Sequence, residues 1–361
     1  MNILNNYKKI KFFAKNKKNK ILIIGGQKSY HKSGANLFFK KLLKNNKVEY
    51  YFKNSAYPEI KEVEIIAKII EKIKPNLIFA IGGGSVMDLA KIGNIIDLKK
   101  TLKNKKEVIT KKKLAKLIAV PLTAGSGAEA TSTAVLYLGK KKISVEGNQV
   151  KPDHFFLVSD LVKNTPKKIK GPAIFDCISQ AVESLFSLKA NSQSAFYALK
   201  SLRISINNAL DYFNNPNPLN SKKMLLASHY AGKAIDISRT IASHAISYPF
   251  TSLFGFSHGR AIAVSFVAIL KYNFFNQRDS FSKKKYEQLF KLTKSKDINE
   301  LAEYFNNTIS RLGIETKKNN SKINFKKNWP IISKNINLKR LLNNPVPLKK
   351  IHIKKILENC C

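Results

Sequence analysis

The chain has 361 residues, more than the roughly 250 to 300 that one hydrophobic core usually serves, so two domains are expected. Its 44% hydrophobic and 10% aromatic content excludes general disorder. The formal net charge of +42 would by itself suggest nucleic acid or an anionic membrane surface, but only six of the 65 basic residues are Arg and Lys runs from end to end, which describes a solvated surface rather than an arginine-built reading face.

In chain order, the apolar run ILII at 21 to 24 ends in Gly25 and Gly26 and predicts a buried strand entering a turn. A helix over about 34 to 45 follows, then a strand from Val48 to Phe52, and past Pro58 a helix over about 60 to 73. LIFAIGGG is a strand running into glycines, with a helix from about Val86, and LIAVPLT is a further buried strand. Strand and helix alternating in this way predict a doubly wound parallel sheet of Rossmann type. Beyond about residue 160 long helical segments take over. The expected organisation is an α/β nucleotide-binding domain over 1–160 and an all-helical domain over 161–361.

Three cysteines, Cys177, Cys360 and Cys361, make no disulfide framework and no zinc spacing, consistent with a reducing compartment, and the cytoplasm is expected. The N-terminus is basic but has no apolar stretch of signal-peptide length, and nowhere do about 18 apolar residues run together. Neither export nor a membrane span is expected.

The turn Gly82-Gly83-Gly84-Ser85 stands between an apolar strand and a helix. Glycines let the backbone approach a diphosphate, and a helix N-terminus then supplies free amides and a positive dipole. Taken alone, the triplet is equally a tight turn using glycine for its dihedral freedom. A second loop, AVPLTAGSGAEATSTAV at 119 to 135, is crowded with small and hydroxylated residues and offers hydroxyls and amides without bulk.

In the second half, Asp176, Gln180 and Glu183 are spaced four and three apart and share one helix face. His244 and His258 follow, fourteen residues apart. The remaining histidines, His31, His154, His229 and His352, stand alone and read as structural or solvent-facing.

The segments GGGSVMDLAK (82 to 91) and PLTAGSGAE (121 to 129) together resemble the paired signatures of the iron-containing alcohol dehydrogenase superfamily, and the resemblance continues along the whole chain. It implies the dehydroquinate synthase-like fold of that family, with Gly83, Gly84, Ser85, Asp88, Thr123 and Ser126 at the cofactor. Lys142, in a KIS segment like the family's KxS, is implied at the cofactor ribose. It also implies a divalent metal, Fe²⁺ ahead of Zn²⁺, held by Asp176, Gln180, His244 and His258. Gln180 stands where the family usually has His, which leaves the donor set richer in oxygen. Tyr248 replaces another family histidine and is a candidate hydroxyl proton relay.

At the end of the first strand Gly26, followed by Lys28, replaces an Asp that disfavours a 2′-phosphate in many members, so NADPH is expected to be accepted alongside NADH. DCISQAVES (176 to 184), AGKAI (231 to 235) and HAISYPFTSLFGFSHG (244 to 259) are similar to the phosphonoacetaldehyde reductase branch. That resemblance implies reduction of a small anionic aldehyde, with Lys233 and Arg239 as candidate phosphonate contacts, and a homodimer is expected. Three alternatives stay open: an alcohol dehydrogenase for uncharged short-chain substrates, a lyase of the dehydroquinate synthase kind, and a non-redox basic protein with a decayed metal site. Gln180 argues against the lyase.

Overall fold

The computed structural model describes residues 19–55, 57–104, 108–138, 141–277, 280–316, 325–358 and 360. The chain divides into two compact units, one of Met1–Thr165 with Asn217–Leu225, the other of Pro166–Pro216 with Leu226–Cys361.

The first unit is an α/β layer structure. Its strands are β1 (Lys20–Gly26), β2 (Lys47–Lys53), β3 (Leu77–Gly82), β4 (Lys116–Pro121) and the two-residue β7 (His154–Phe155), joined in the order β2-β1-β3-β4-β7. All pairings are parallel. β3 is buried along its whole length and β1 and β4 nearly so, as strands covered on both faces must be. Period-two alternation divides their side chains between two cores. Leu22, Ile24, Ile78, Ala80, Leu117 and Ala119 face α3 (Ile60–Ile73) and α4 (Gly84–Gly93). Ile21, Ile23, Phe79, Ile81, Ile118 and Val120 face Tyr30 of α1 (Gln27–Lys32) and Phe39 of α2 (Ala35–Leu42). From β1 the chain moves one way to β2 and the other way to β3, so the topological switch point lies between β1 and β3. Open α/β sheets bind ligands beyond the strand C-termini at such a point.

Two expectations need correction here. The helix expected over 34 to 45 is α2, shorter than expected, and a further helix, α1, precedes it, separated from it by Gly34 in a left-handed conformation (φ 82°). β5 (Thr133–Leu138) and β6 (Lys141–Glu146) pair antiparallel as a hairpin outside the parallel sheet. The TSTAV and KIS stretches belong to this hairpin. A short helix, α5 (Leu98–Asn104), was also not foreseen, and α6 (Ser159–Lys163) closes the unit.

Helices build the second unit: α7 (Lys167–Phe186), α8 (Ser192–Asn214), α9 (Pro218–Ser238), whose first residues group with the other unit, α10 (Ala242–Phe254) and α11 (His258–Asn276). They are followed by α12 (Ser280–Thr293), α13 (Ile298–Arg311), α14 (Phe325–Lys334), α15 (Leu338–Leu341) and α16 (Lys350–Glu358). Glycine sets two close approaches on α7. A Cβ at Gly259 would lie 1.9 Å from the carbonyl oxygen of Pro172, and one at Gly171 would lie 2.1 Å from that of Leu312. The first of these draws the start of α11 onto α7 one turn before Asp176. The C-terminal helices pack behind α10, with Ile332, Ile336, Leu341, Ile353 and Leu357 sharing a core with Ala242, Ala245, Ile246 and Phe250. Among the described residues no helix is long and apolar enough to cross a membrane.

Candidate functional site

The first unit gathers the glycine-rich turn and the hydroxylated loop at one sheet edge. Gly82 of β3 pairs with Pro121 of β4, and the Leu122 N–H donates to the Gly82 carbonyl at 2.9 Å, so the two segments leave the sheet side by side. Gly83 is the extended N-cap of α4 and no side chain caps that helix, which leaves the first-turn amides of Gly84 and Ser85 able to meet an anion. A Cβ at Gly84 would come within 2.9 Å of Ser126 Oγ, and one at Gly83 within 3.4 Å of Thr123 Oγ1. The loop thus lies directly on the turn, and a side chain at position 84 would displace Ser126. Gly26 ends β1, where its Cβ would meet Ser29 Oγ at 2.8 Å and Val86 at 3.9 Å.

Asp88 and Lys142 join the same region. The Asp88 carboxyl is pushed up to about 6 by burial, against the pull of the Lys91 ammonium, the Val135 N–H and the Lys142 ammonium. It therefore links α4 to both strands of the hairpin. Lys91, which sequence reasoning passed over although it stands in the DLAK motif, is fully buried. Its ammonium donates to Thr131 O at 2.9 Å, Thr131 Oγ1 at 3.0 Å and Thr133 O at 3.0 Å. Three neutral acceptors satisfy its three donors and pin the far end of the hydroxylated loop to α4.

In the second unit the sequence spacing becomes a cluster. Asp176 Oδ1 lies 3.4 Å from His244 Nε2 and 3.9 Å from His258 Nε2, and one donor atom from each of the three residues lies within 4.8 Å of the others. The His244 and His258 rings meet edge to face, with centroids 5.4 Å apart. Donors about 2.0 to 2.2 Å from a tetrahedral ion stand roughly 3.3 to 3.6 Å from one another, so two imidazoles and a carboxylate at these separations fit a divalent ion after small adjustment. Asp176 and His244 are buried, while His258, the first residue of α11, keeps 39% of its side chain exposed. Gln180 follows Asp176 by one turn of α7 and is 2% exposed, on the same helix face. Tyr248 follows His244 by one turn of α10 and is also buried.

The residue the spacing only hinted at is Glu183. Its Oε2 lies 2.7 Å from His244 Nδ1 and accepts the Ile241 N–H at 2.9 Å. Its Oε1 accepts the N–H groups of Ser243 at 2.8 Å and His244 at 3.3 Å. A carboxylate from α7 thereby caps α10, whose own N-cap position holds Ile241, a residue with no capping oxygen. That missing cap was the available signal. Burial pulls the His244 imidazole down, and the carboxylates of Glu183 and Asp176 more than reverse this, holding it up at about 9.

The candidate phosphonate contacts lie on α9 and just after it. The Lys233 ammonium stands over the Tyr197 ring, 5.0 Å from its centroid. Arg239 follows α9 in a left-handed conformation (φ 64°).

A parallel nucleotide-binding sheet joined in one chain to helices that carry an Asp–His–His cluster describes a class of metal-linked dehydrogenases. The chain matches the iron-containing alcohol dehydrogenase family over residues 4–158 and the C-terminal domain of the Fe-containing alcohol dehydrogenase family over residues 173–361, and it belongs to the iron-containing alcohol dehydrogenase family. It is 29% identical over 224 residues, 58% of its length, to a phosphonoacetaldehyde reductase from Streptomyces viridochromogenes. It is also 29% identical over 216 residues, again 58% of its length, to a 4-hydroxybutyrate dehydrogenase from Clostridium kluyveri. These matches span 56% and 58% of the two relatives. The fold is shared with an archaeal halo-thermophilic Red Sea brine pool alcohol dehydrogenase, at a TM-score of 0.87 and 20% identity over 99% of this chain and 96% of that one. It is shared too with the sulfoacetaldehyde reductase of Bifidobacterium kashiwanohense, solved with NAD⁺, at 0.84 and 23% over 99% and 95%.

Proposed function

We propose that this protein is a divalent-metal-dependent, NAD(P)H-linked oxidoreductase that reduces a small anionic aldehyde to its primary alcohol, with phosphonoacetaldehyde to 2-hydroxyethylphosphonate as the leading reaction. The observation that carries the reading is the convergence of Asp176, His244 and His258 in a chain that also keeps both glycine and hydroxyl loops. When bound, the metal, Fe²⁺ or Zn²⁺, supplies Lewis acidity toward an aldehyde oxygen.

Each side chain then has a task. Asp176, His244 and His258 hold the ion, with Gln180 offering its amide oxygen from the same face of α7 as Asp176. The amides of Gly84 and Ser85 take the dinucleotide phosphates, and the hydroxyls of Thr123 and Ser126 line the same turn. Lys142 serves the ribose. The Tyr248 hydroxyl, one helical turn from His244, is the candidate proton carrier. At the end of β1, Gly26 presents no carboxylate to a 2′-phosphate and Lys28 is exposed nearby, which favours NADPH.

An anionic substrate is supported by three similar proteins: phosphonoacetaldehyde and sulfoacetaldehyde carry an acid group on the carbon next to the reacting one, and 4-hydroxybutyrate carries its carboxylate three carbons from it. The high positive charge of the chain suits such a substrate. As further parts of this reading, the protein acts in the cytoplasm as a homodimer, a state that sedimentation checks directly.

The test is NADPH and NADH oxidation by protein reloaded with Fe²⁺ or Zn²⁺, against phosphonoacetaldehyde and a panel of uncharged short aldehydes. Turnover of the phosphonate above all others is the expected result. Turnover of uncharged aldehydes alone removes the anionic substrate, and none with any aldehyde removes the reductase reading.

A further inference from the structure

Glu183 is buried to 2% exposure and contributes no donor to the Asp176–His244–His258 cluster, yet besides the Ser243 hydroxyl its carboxylate meets four hydrogen-bonding partners. Three come from the backbone at the start of α10 and the fourth involves His244 Nδ1. A neutral imidazole has one N–H and one lone pair, and which nitrogen carries which is decided by the partner of each. On one side of this ring stands Glu183 Oε2, at 2.7 Å from Nδ1, and on the other Asp176 Oδ1, at 3.4 Å from Nε2. An ionised carboxylate only accepts. The shorter contact, to a carboxylate that is itself fixed by three backbone amides, takes the single proton.

From this geometry we infer that Glu183 is a positioning residue that holds His244 in its Nδ1–H tautomer and thereby turns the Nε2 lone pair toward Asp176 and His258. The inference rests on the metal-dependent reading above and deepens it. The same carboxylate serves two purposes: it starts α10 at the residue before the ligand and orients the ligand ring. Two oxygens satisfied by α10 amides leave Glu183 no freedom to rotate away when the ring turns, so the helix cap and the ligand tautomer are set together. Partners of this kind raise the basicity of a ligating imidazole and fix its plane.

The hydrogen-bond pattern makes an isosteric substitution informative. In E183Q one oxygen becomes an NH₂ group, and its position is decided by the backbone. At the Oε1 position it would face two N–H donors, those of Ser243 and His244. At the Oε2 position it faces only one, that of Ile241, and the ring nitrogen. The NH₂ therefore settles at Oε2 and donates to Nδ1, so the proton moves to Nε2 and the lone pair faces away from the cluster. The amide oxygen keeps the Ser243 and His244 bonds of the cap, only the Ile241 N–H loses its acceptor, and the ligand is reversed, which largely separates orientation of the ligand from support of the helix.

The experiment compares full-length wild type with E183Q by chelator competition for Zn²⁺, thermal melting without metal, and imidazole nitrogen NMR with labelled histidine. The expected result for E183Q is a Zn²⁺ affinity lower by about 10- to 100-fold, with the Nε2–H form at His244 and a folded protein whose melt is lowered by the one lost Ile241 bond. Equal Zn²⁺ affinity in the two proteins, or an Nδ1–H ring persisting in E183Q, overturns the inference. If wild type itself takes up no Zn²⁺, the metal-dependent reading falls separately. In that case, or if E183Q does not fold, the tautomer of metal-free wild type at alkaline pH decides: an Nε2–H ring there overturns the assignment.

Discussion

Asp88 shows how one half-buried carboxyl ties the glycine-rich turn's helix to the neighbouring hairpin and leaves a pH signature. Burial raises its folded value to about 6 from 3.8, despite Lys91 and Lys142. The folded chain thus holds this proton more tightly than the unfolded chain. Its contribution to stability is complete below 3.8 and is lost as pH rises through about 6. The variant Asp88→Asn stays neutral throughout, so its melting temperature should gain on wild type as pH rises from about 4 to 7 and hold a constant difference above that. A difference that does not change across that window would show that Asp88 does not titrate there. The identity of Asp88 as a turn residue was legible in GGGSVMDLAK, but its partners were not, because Val135 and Lys142 stand on a hairpin that local pattern did not foresee.

At the scale of elements, the proposed metal ligands depend on how closely helices approach. Gly259 has no room for a side chain, since a Cβ there would fall 1.9 Å from backbone of α7 at Pro172. Gly259→Ala must push the start of α11 away from α7, and overpacking of this kind costs about 1 to 3 kcal/mol. His258, the preceding residue, moves with it. The expected outcome is a lower melting temperature together with weaker Zn²⁺ binding, read by thermal denaturation and chelator competition. A variant with unchanged metal affinity would mean that His258 does not depend on this contact. The C-terminal helices support the other ligand helix, where Asn337 N–H donates to the Ala245 carbonyl at 3.3 Å and Arg340 donates to Thr240 Oγ1 at 3.1 Å. Period and spacing identified helices in this half, and strand and turn chemistry identified the sheet of the other, because both signals are carried within a dozen residues.

For the molecule as a whole, 65 basic residues against 23 acidic ones place the protein in its own positive field. Such a field speeds the arrival of anions and is screened by salt, with a Debye length of about 10 Å at 0.1 M. Added salt should lower kcat/KM for phosphonoacetaldehyde and leave kcat/KM for an uncharged aldehyde of similar size nearly unchanged, once the dinucleotide is saturating. An equal response of both substrates would separate the charge from substrate capture.

The sequence by itself determined the alternation of strand and helix and the glycine turn and hydroxylated loop, because each rests on residue type and short spacing, while the candidates Asp176, Gln180, His244 and His258 came from motifs that resemble the family's. Tertiary structure decided what joins distant segments: Lys91 reaching Thr131 across 40 residues, Glu183 reaching His244 across 61, and Gly259 lying against Pro172. A hydrogen bond or a close approach of backbones depends on distance in space, which no periodicity along the chain encodes. The Asp–His–His grouping could therefore be expected only through resemblance to a family, while the carboxylate that caps α10 and faces the His244 ring became visible only once α7 and α10 were packed together.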